Sequence, residues 1–157
     1  MKLRIAALVL LLAAITAVAQ MRPGEDGELT VTALRGGVYV MAMGGAGNVG
    51  ASVGPDGAFI IDDQFAPMAP KLKAAVAKLT DRPLRYVLNS HWHGDHTGGN
   101  AALGVDGHVI VAHDNVRTRM AKPFFSQFSQ KTTPASPPEA LPVITFSENL
   151  TLHFNGD

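Results

Sequence analysis

Three of the chain's six histidines fall within six residues, His91-Trp92-His93-Gly94-Asp95-His96. Neutral imidazole and carboxylate together are ligands for zinc, at about 2.0–2.2 Å per bond. Iron, manganese or nickel accept the same donors. The spacing has chemical content, because the quartet directly follows Leu84-Arg85-Tyr86-Val87-Leu88, which reads as a strand. His91 and His93 are two apart, so near a strand end both rings leave on one side. Asp95 is two further on, while His96 breaks the alternation and points elsewhere. Gly94 reads as the residue that lets the backbone turn tightly between ligands. A solvated loop would account for one histidine but is a poor account of four donors at a strand end.

The elements that position this quartet are legible on both sides. From Gly27 to Asp63 the pattern is β. Leu29–Leu34, Val38–Met43, a stretch near Ala51-Ser52-Val53 and Ala58–Ile61 read as four short strands in an antiparallel meander, with turns at Gly36-Gly37 and Pro55-Asp56-Gly57. Leu72, Val76 and Leu79 then recur at helical spacing, with Pro70 suited to a first turn and Pro83 ending the helix. Lys71, Lys73 and Lys78 fall on its solvated face. The strand at 84–88, a loop at 89–99, a short helix at Asn100–Leu103, a strand at His108–Ala112 and a helix from Asp114, its cap, to about Met120 complete a β-α-β-α order. The fold class is therefore α/β, in layers. Lys122–Pro142, with five prolines and Phe124, Phe125 and Phe128, reads as irregular: a surface loop tucked onto the core by its aromatics, or a flap over a site. Val143–Phe146 and Leu150–Phe154 read as strands. Asn155-Gly156 is a hairpin signal with no second strand before Asp157, so the sequence is expected to be the N-terminal piece of a longer chain.

Composition narrows the function. Thirteen Lys and Arg balance thirteen Asp and Glu, which leaves no basic footprint for nucleic acid. Cysteine is absent, so thiolate ligands and cysteine nucleophiles are excluded. Lys2 and Arg4, the apolar run Ile5–Ile15 and the Ala17-x-Ala19 site have the three parts of an export signal. The apolar run is short for a membrane span, which needs about 20 apolar residues. Residues 1–19 are thus expected to be a cleaved signal peptide, and residues 20–157 an exported, periplasmic or secreted portion without stable membrane association. Gly45-x-Gly47-x-x-Gly50 matches a dinucleotide fingerprint in letters only, since a strand rather than a helix follows. His113, between a strand and Asp114, reads either as a helix-entry residue or as a support for the ligands. Asn149-Leu150-Thr151 fits a glycosylation sequon, meaningful only in a eukaryotic host. Trp92 either lines a pocket or packs beneath the loop.

Ser90-His91-Trp92-His93-Gly94-Asp95-His96-Thr97-Gly98-Gly99-Asn100 closely resembles the metal motif of the metallo-β-lactamase superfamily, and the likeness extends over roughly residues 31–157. The resemblance implies an αββα sandwich, here its first half with the second half truncated, and a dinuclear zinc site, other divalent metals being possible. By it, His91 and His93 would bind the first ion, and Asp95 and His96 the second. Asp95 would also act in catalysis, holding the nucleophile or the second zinc. Asp62, after Phe59-Ile60-Ile61, resembles the aspartate that buttresses the site. The family's third histidine, bridging carboxylate and last histidine cannot be placed before Asp157; His153 reads as surface-facing. With a layer missing, Phe59, Ile61, Val87 and Leu88 would lack part of their cover. The implied activity is a zinc-dependent hydrolase acting on a small molecule. Zinc brings the pKa of bound water toward 7 and so supplies hydroxide, which attacks a β-lactam-like amide or ester bond. The activity is expected of a full-length parent, the truncated chain itself being expected to be inactive; a thioester hydrolase of the glyoxalase II type and a non-catalytic zinc-binding fragment or pseudoenzyme are the rival readings.

Overall fold

In the computed structural model residues 29–43 and 47–156 are described. The export signal, the opening of the β-patterned region at Gly27, Gly45 of the glycine pattern and Asp157 lie outside the described residues. The β-rich first part forms the expected meander. Strands β1 (Leu29–Ala33), β2 (Val38–Met43), β3 (Val49–Gly54) and β4 (Gly57–Ile61) pair antiparallel in sequence order. Helix α1 (Ala69–Leu79), with Pro70 in its first turn, then carries the chain back so that β5 (Leu84–Leu88) pairs parallel to β4. β6 (Val109–His113) pairs parallel to β5. The quartet lies between these last two strands. Their carboxyl ends, with that of β4, fall at one end of the sheet, where open α/β sheets bind ligands. Two backbone bonds extend the ladder there, from Asp62 to Leu88 and from Asn89 to Val111.

Alternation along the strands decides which face is covered. Met41, Met43, Val49, Ala51, Ile60, Val87 and Ile110 form one buried cluster with Met68, Leu72 and Val76, residues of α1 and of the turn before it. Burying Leu72 or Val76 contributes roughly 1.5–3 kcal/mol each. The opposite face is less covered: Ile61 is 42% exposed. Phe59 and Tyr86 meet Phe154, with centroids 5.8 and 5.6 Å apart. Val87 departs from expectation, because it points to the helical side and is fully buried. Of the three lysines assigned to a solvated face, Lys78 is exposed, whereas Lys71 and Lys73 are half-buried and Lys73 pairs with Asp106.

Three expectations need correction. Residues 89–99 are not all loop: Gly94–Thr97 make one helical turn, α2, followed by α3 (Asn100–Val105). Residues 122–142 contain a hairpin, β7 (Phe124–Ser126) with β8 (Lys131–Thr133), and a 3₁₀ turn at Pro138–Ala140. Its phenylalanines are not tucked in, and Phe128 is 101% exposed. Leu150–Phe154 is not a strand; beyond β9 (Ile144–Phe146), which extends the sheet beside β6, the chain is held by side chains. Phe154 is buried, and Asn155 bonds Asp56, Gly57 and Ser52 at the β3–β4 turn, so the hairpin residue serves as a tie. Among the described residues no helix is long and apolar enough to cross a membrane.

Candidate metal centre

All four sequence-selected donors lie just past β5. The chain bends through residues 90–93, and His91 Nε2 lies 3.1 Å from His93 Nδ1. Asp95 and His96 are carried away by the turn α2, with His96 Nε2 3.3 Å from Asp95 Oδ2. Two donors on one tetrahedral zinc ion, at about 2.0–2.1 Å each, stand about 3.3 Å apart. Donor type and pair spacing therefore fit two half-sites. The pairs are adjacent, as the rings of His91 and His96 are 3.9 Å apart between centroids. Among the described residues no three or more His, Cys, Asp or Glu side chains converge as a group able to hold one ion.

A single carboxylate organises both pairs. Asp62 follows β4 in the left-handed region, φ 65°, which aspartate tolerates better than most residues. Its Oδ1 accepts from the Ser90 amide at 2.7 Å. Its Oδ2 accepts from the Ser90 hydroxyl at 2.7 Å and from His96 Nδ1 at 2.8 Å. With its proton given to Asp62, Ser90 Oγ accepts from His91 Nδ1 at 3.0 Å. The network thus assigns the proton of both His91 and His96 to Nδ1; the His96 Nε2 lone pair then faces Asp95, and that of His91 faces His93 Nδ1, whose proton a metal would have to displace. Ser90 was not singled out by its type, although its place beside His91 was visible.

The scaffold behind the quartet is polar and buried. The His96 carbonyl accepts from Asn89 Nδ2 and from the Asp63 amide. Asn89 and Asn100 exchange side-chain bonds at 3.1 and 2.9 Å, and Asn100 also reaches the Ala140 carbonyl. His113 is engaged elsewhere, which corrects its reading as a support. Its Nδ1 accepts from the Asn115 amide, making it the cap of α4 (Asp114–Met120) in place of Asp114, and its Nε2 donates to the Ser147 carbonyl at 2.8 Å. His153 is exposed.

Asp63 is fully buried, and its Oδ2 has no hydrogen-bond partner among the described residues. Burial pushes its carboxyl from the ordinary 3.8 up to about 8, against the lowering effect of the Gly99 amide and with a further rise from Asp62. The folded chain therefore keeps this proton up to about pH 8, and the unfolded chain loses it near 3.8. Between those values folding takes up a proton, so stability declines as pH rises through that window. Asp63→Asn, neutral at every pH, should flatten the decline and stabilise the chain by several kcal/mol at about pH 8. Urea unfolding at about pH 5 and about pH 8 checks this; an unchanged slope would show that Asp63 is already ionised.

A model of the metallo-β-lactamase superfamily matches residues 42–157. None of the curated proteins matches the sequence. Among solved structures, the metallo-β-lactamase MIM-1 from Novosphingobium pentaromativorans superposes with a TM-score of 0.67 at 23% identity, covering 85% of this chain and 51% of that one. A Cronobacter sakazakii metallo-β-lactamase gives 0.66 at 23% identity, covering 81% and 51%. One from Pontibacter korlensis gives 0.62 at 20% identity, covering 82% and 57%. The chain spans about half the length of these neighbours, and at such identities they speak for the fold. The matched span includes β4 with Asp62, the quartet after β5 and the sheet between them, and the chain belongs to the metallo-β-lactamase superfamily.

Proposed function

We propose that this chain carries the first half of the active site of an exported, zinc-dependent hydrolase that cleaves β-lactam-like amide or ester bonds in a small-molecule substrate. The observation that carries the proposal is the Asp62 network, which points the Nε2 lone pairs of His91 and His96 into neighbouring donor pairs. His91 and His93 would hold one ion, and His96 and Asp95 the other. Zinc, when bound, would acidify water and polarise a carbonyl. The chain's own contribution is orientation: Asp62 and Ser90 fix which histidine nitrogens are free, and Asn89 and Asn100 hold the backbone beneath. The names of the structural neighbours support the choice of substrate. The balanced charge supports a small molecule over nucleic acid. The basic, apolar and Ala-x-Ala start supports export, maturation at Gln20 and a periplasmic or secreted location.

The test is hydrolysis of a chromogenic β-lactam by a longer form of the chain that completes the ligand set, with this chain, expected to be inactive, beside it. Activity should disappear on chelation and return with zinc, since ligand sets of this type bind divalent ions reversibly. Turnover that survives chelation would overturn the zinc reading. Cleavage of a thioester but not the lactam would replace the substrate, and zinc binding without turnover would reduce the chain to a metal-binding module.

A further inference from the structure

Beside the quartet lies a cleft of about 650 Å³, whose walls include His93, Trp92, Arg119, Phe124, Ser126 and Thr133. Trp92 links its parts. Its ring centroid is 4.7 Å from that of His93 and 4.8 Å from that of Phe124, which meets it edge-on. The Arg119 guanidinium carbon lies 5.1 Å from the same ring centroid, in cation–π contact. Trp92 also packs against the small cluster of Ala112, Val116 and Met120, which anchors it.

Two features leave the cleft able to receive a ligand. Phe124, though packed edge-on against Trp92, keeps 38% of its surface exposed. Arg119 is exposed, and among the described residues no carboxylate pairs with it. An arginine steadied on an aromatic face keeps a rigid fork of donors matched to a carboxylate. Aromatic walls beside it suit a flat apolar group. The cleft reaches His93, so a molecule held there lies next to one of the metal donors.

We propose that Trp92, Phe124 and Arg119 form a subsite for a substrate bearing an aryl group and a carboxylate. Arg119 takes the carboxylate, and the two rings take the aryl group. Calling the ligand a substrate rests on the hydrolase reading; the binding itself does not.

Trp92 is the only tryptophan, so with the metal content held fixed, because the ring also meets His93, tryptophan emission reports on this subsite. The full chain is titrated with phenylacetate and with its neutral isostere phenylacetamide. Phenylacetate should change the emission saturably, and phenylacetamide should bind about tenfold more weakly, the worth of one charge-assisted contact. Arg119→Gln should bring the two ligands to equal affinity. Arg119→Lys, which keeps the charge but not the fork, should fall between. Equal binding of acid and amide, or no response to either, overturns the proposal. So does an Arg119→Gln variant that melts earlier yet preserves the preference, because Arg119 would then be a packing residue. If the emission responses are as expected while neither the chain nor a longer form of it cleaves any ester, thioester or lactam, the subsite stands and the hydrolase reading falls.

Discussion

Asp62→Asn should weaken zinc binding at both donor pairs by roughly 10–100-fold, the range seen when groups that orient metal ligands are lost. The two side chains are nearly the same size, so the change is one of hydrogen-bond polarity. In the wild type, Asp62 Oδ2 accepts from Ser90 and from His96. An amide whose oxygen still accepts from the Ser90 backbone would present its NH₂ to both of these donors. His96 would then move its proton to Nε2, the nitrogen that faces Asp95, and a protonated nitrogen cannot bind metal. Ser90 would have to turn its hydrogen away, which removes the fixed acceptor of His91 Nδ1. His91→Ala, by contrast, deletes one donor from one pair and leaves the Asp62–His96 bond intact, so it should lose one ion. Competition against a chromogenic chelator gives the affinities, and nitrogen NMR of the histidine rings reports the His96 tautomer. Equal zinc affinity in wild type and Asp62→Asn would remove Asp62 from its organising role.

How far this centre was legible depended on whether the signal was local. The four candidate donors sit within six residues of one another, so their proximity was legible at once, whereas the chain bends past Leu88 and brings the His96 ring to 3.9 Å from that of His91, which strand alternation did not anticipate. The meander and the β-α-β order were legible because apolar periodicity changes clearly from two to about 3.6 along the chain. Three things were not legible. The Asp62–Ser90–His91 relay joins residues 28 apart through side chains, and composition carries no trace of such a contact. The hairpin at 124–133 hid behind prolines that mark its flanks, and its three-residue strands are too short to show alternation. His113 was ambiguous because one ring nitrogen can cap a helix as readily as the ring can orient a ligand; its bonds to Asn115 and Ser147 decided for the cap.

The glycines of the motif illustrate the same limit and lead to an expectation of opposite signs. Gly94 stands between the donors and invited the reading of a glycine required for a tight turn. The structure removes that requirement. Gly94 opens the helical turn α2 and is not among the residues with positive φ, and a Cβ there would meet nothing within 4 Å. Gly94→Ala should therefore leave stability unchanged or raise it by up to about 1 kcal/mol, because alanine restricts the unfolded chain at a site whose backbone it can adopt. Gly98 also has an ordinary φ of −68°, so its conformation gives no warning. Its surroundings do. A Cβ on Gly98 would lie 2.6 Å from the Gly94 carbonyl oxygen, 2.7 Å from that of Gln64 and 2.8 Å from Phe65 Cα. These are backbone atoms, on the segment after Asp62 and on the turn that carries Asp95 and His96, so none can swing aside as a side-chain tip would. Gly98→Ala must push the two segments apart and should destabilise the chain by about 3 kcal/mol, the upper part of the usual overpacking range. It should also stretch the Asp62–His96 bond, so zinc affinity should fall along with stability, whereas Gly94→Ala should leave the affinity of both pairs unaltered. Thermal unfolding and zinc titration of the two variants side by side check this. Equal stability of the two alanine variants would mean that residues 62–65 do not pack on α2 as described, and the placement of Asp62 beneath His96 would have to be redrawn.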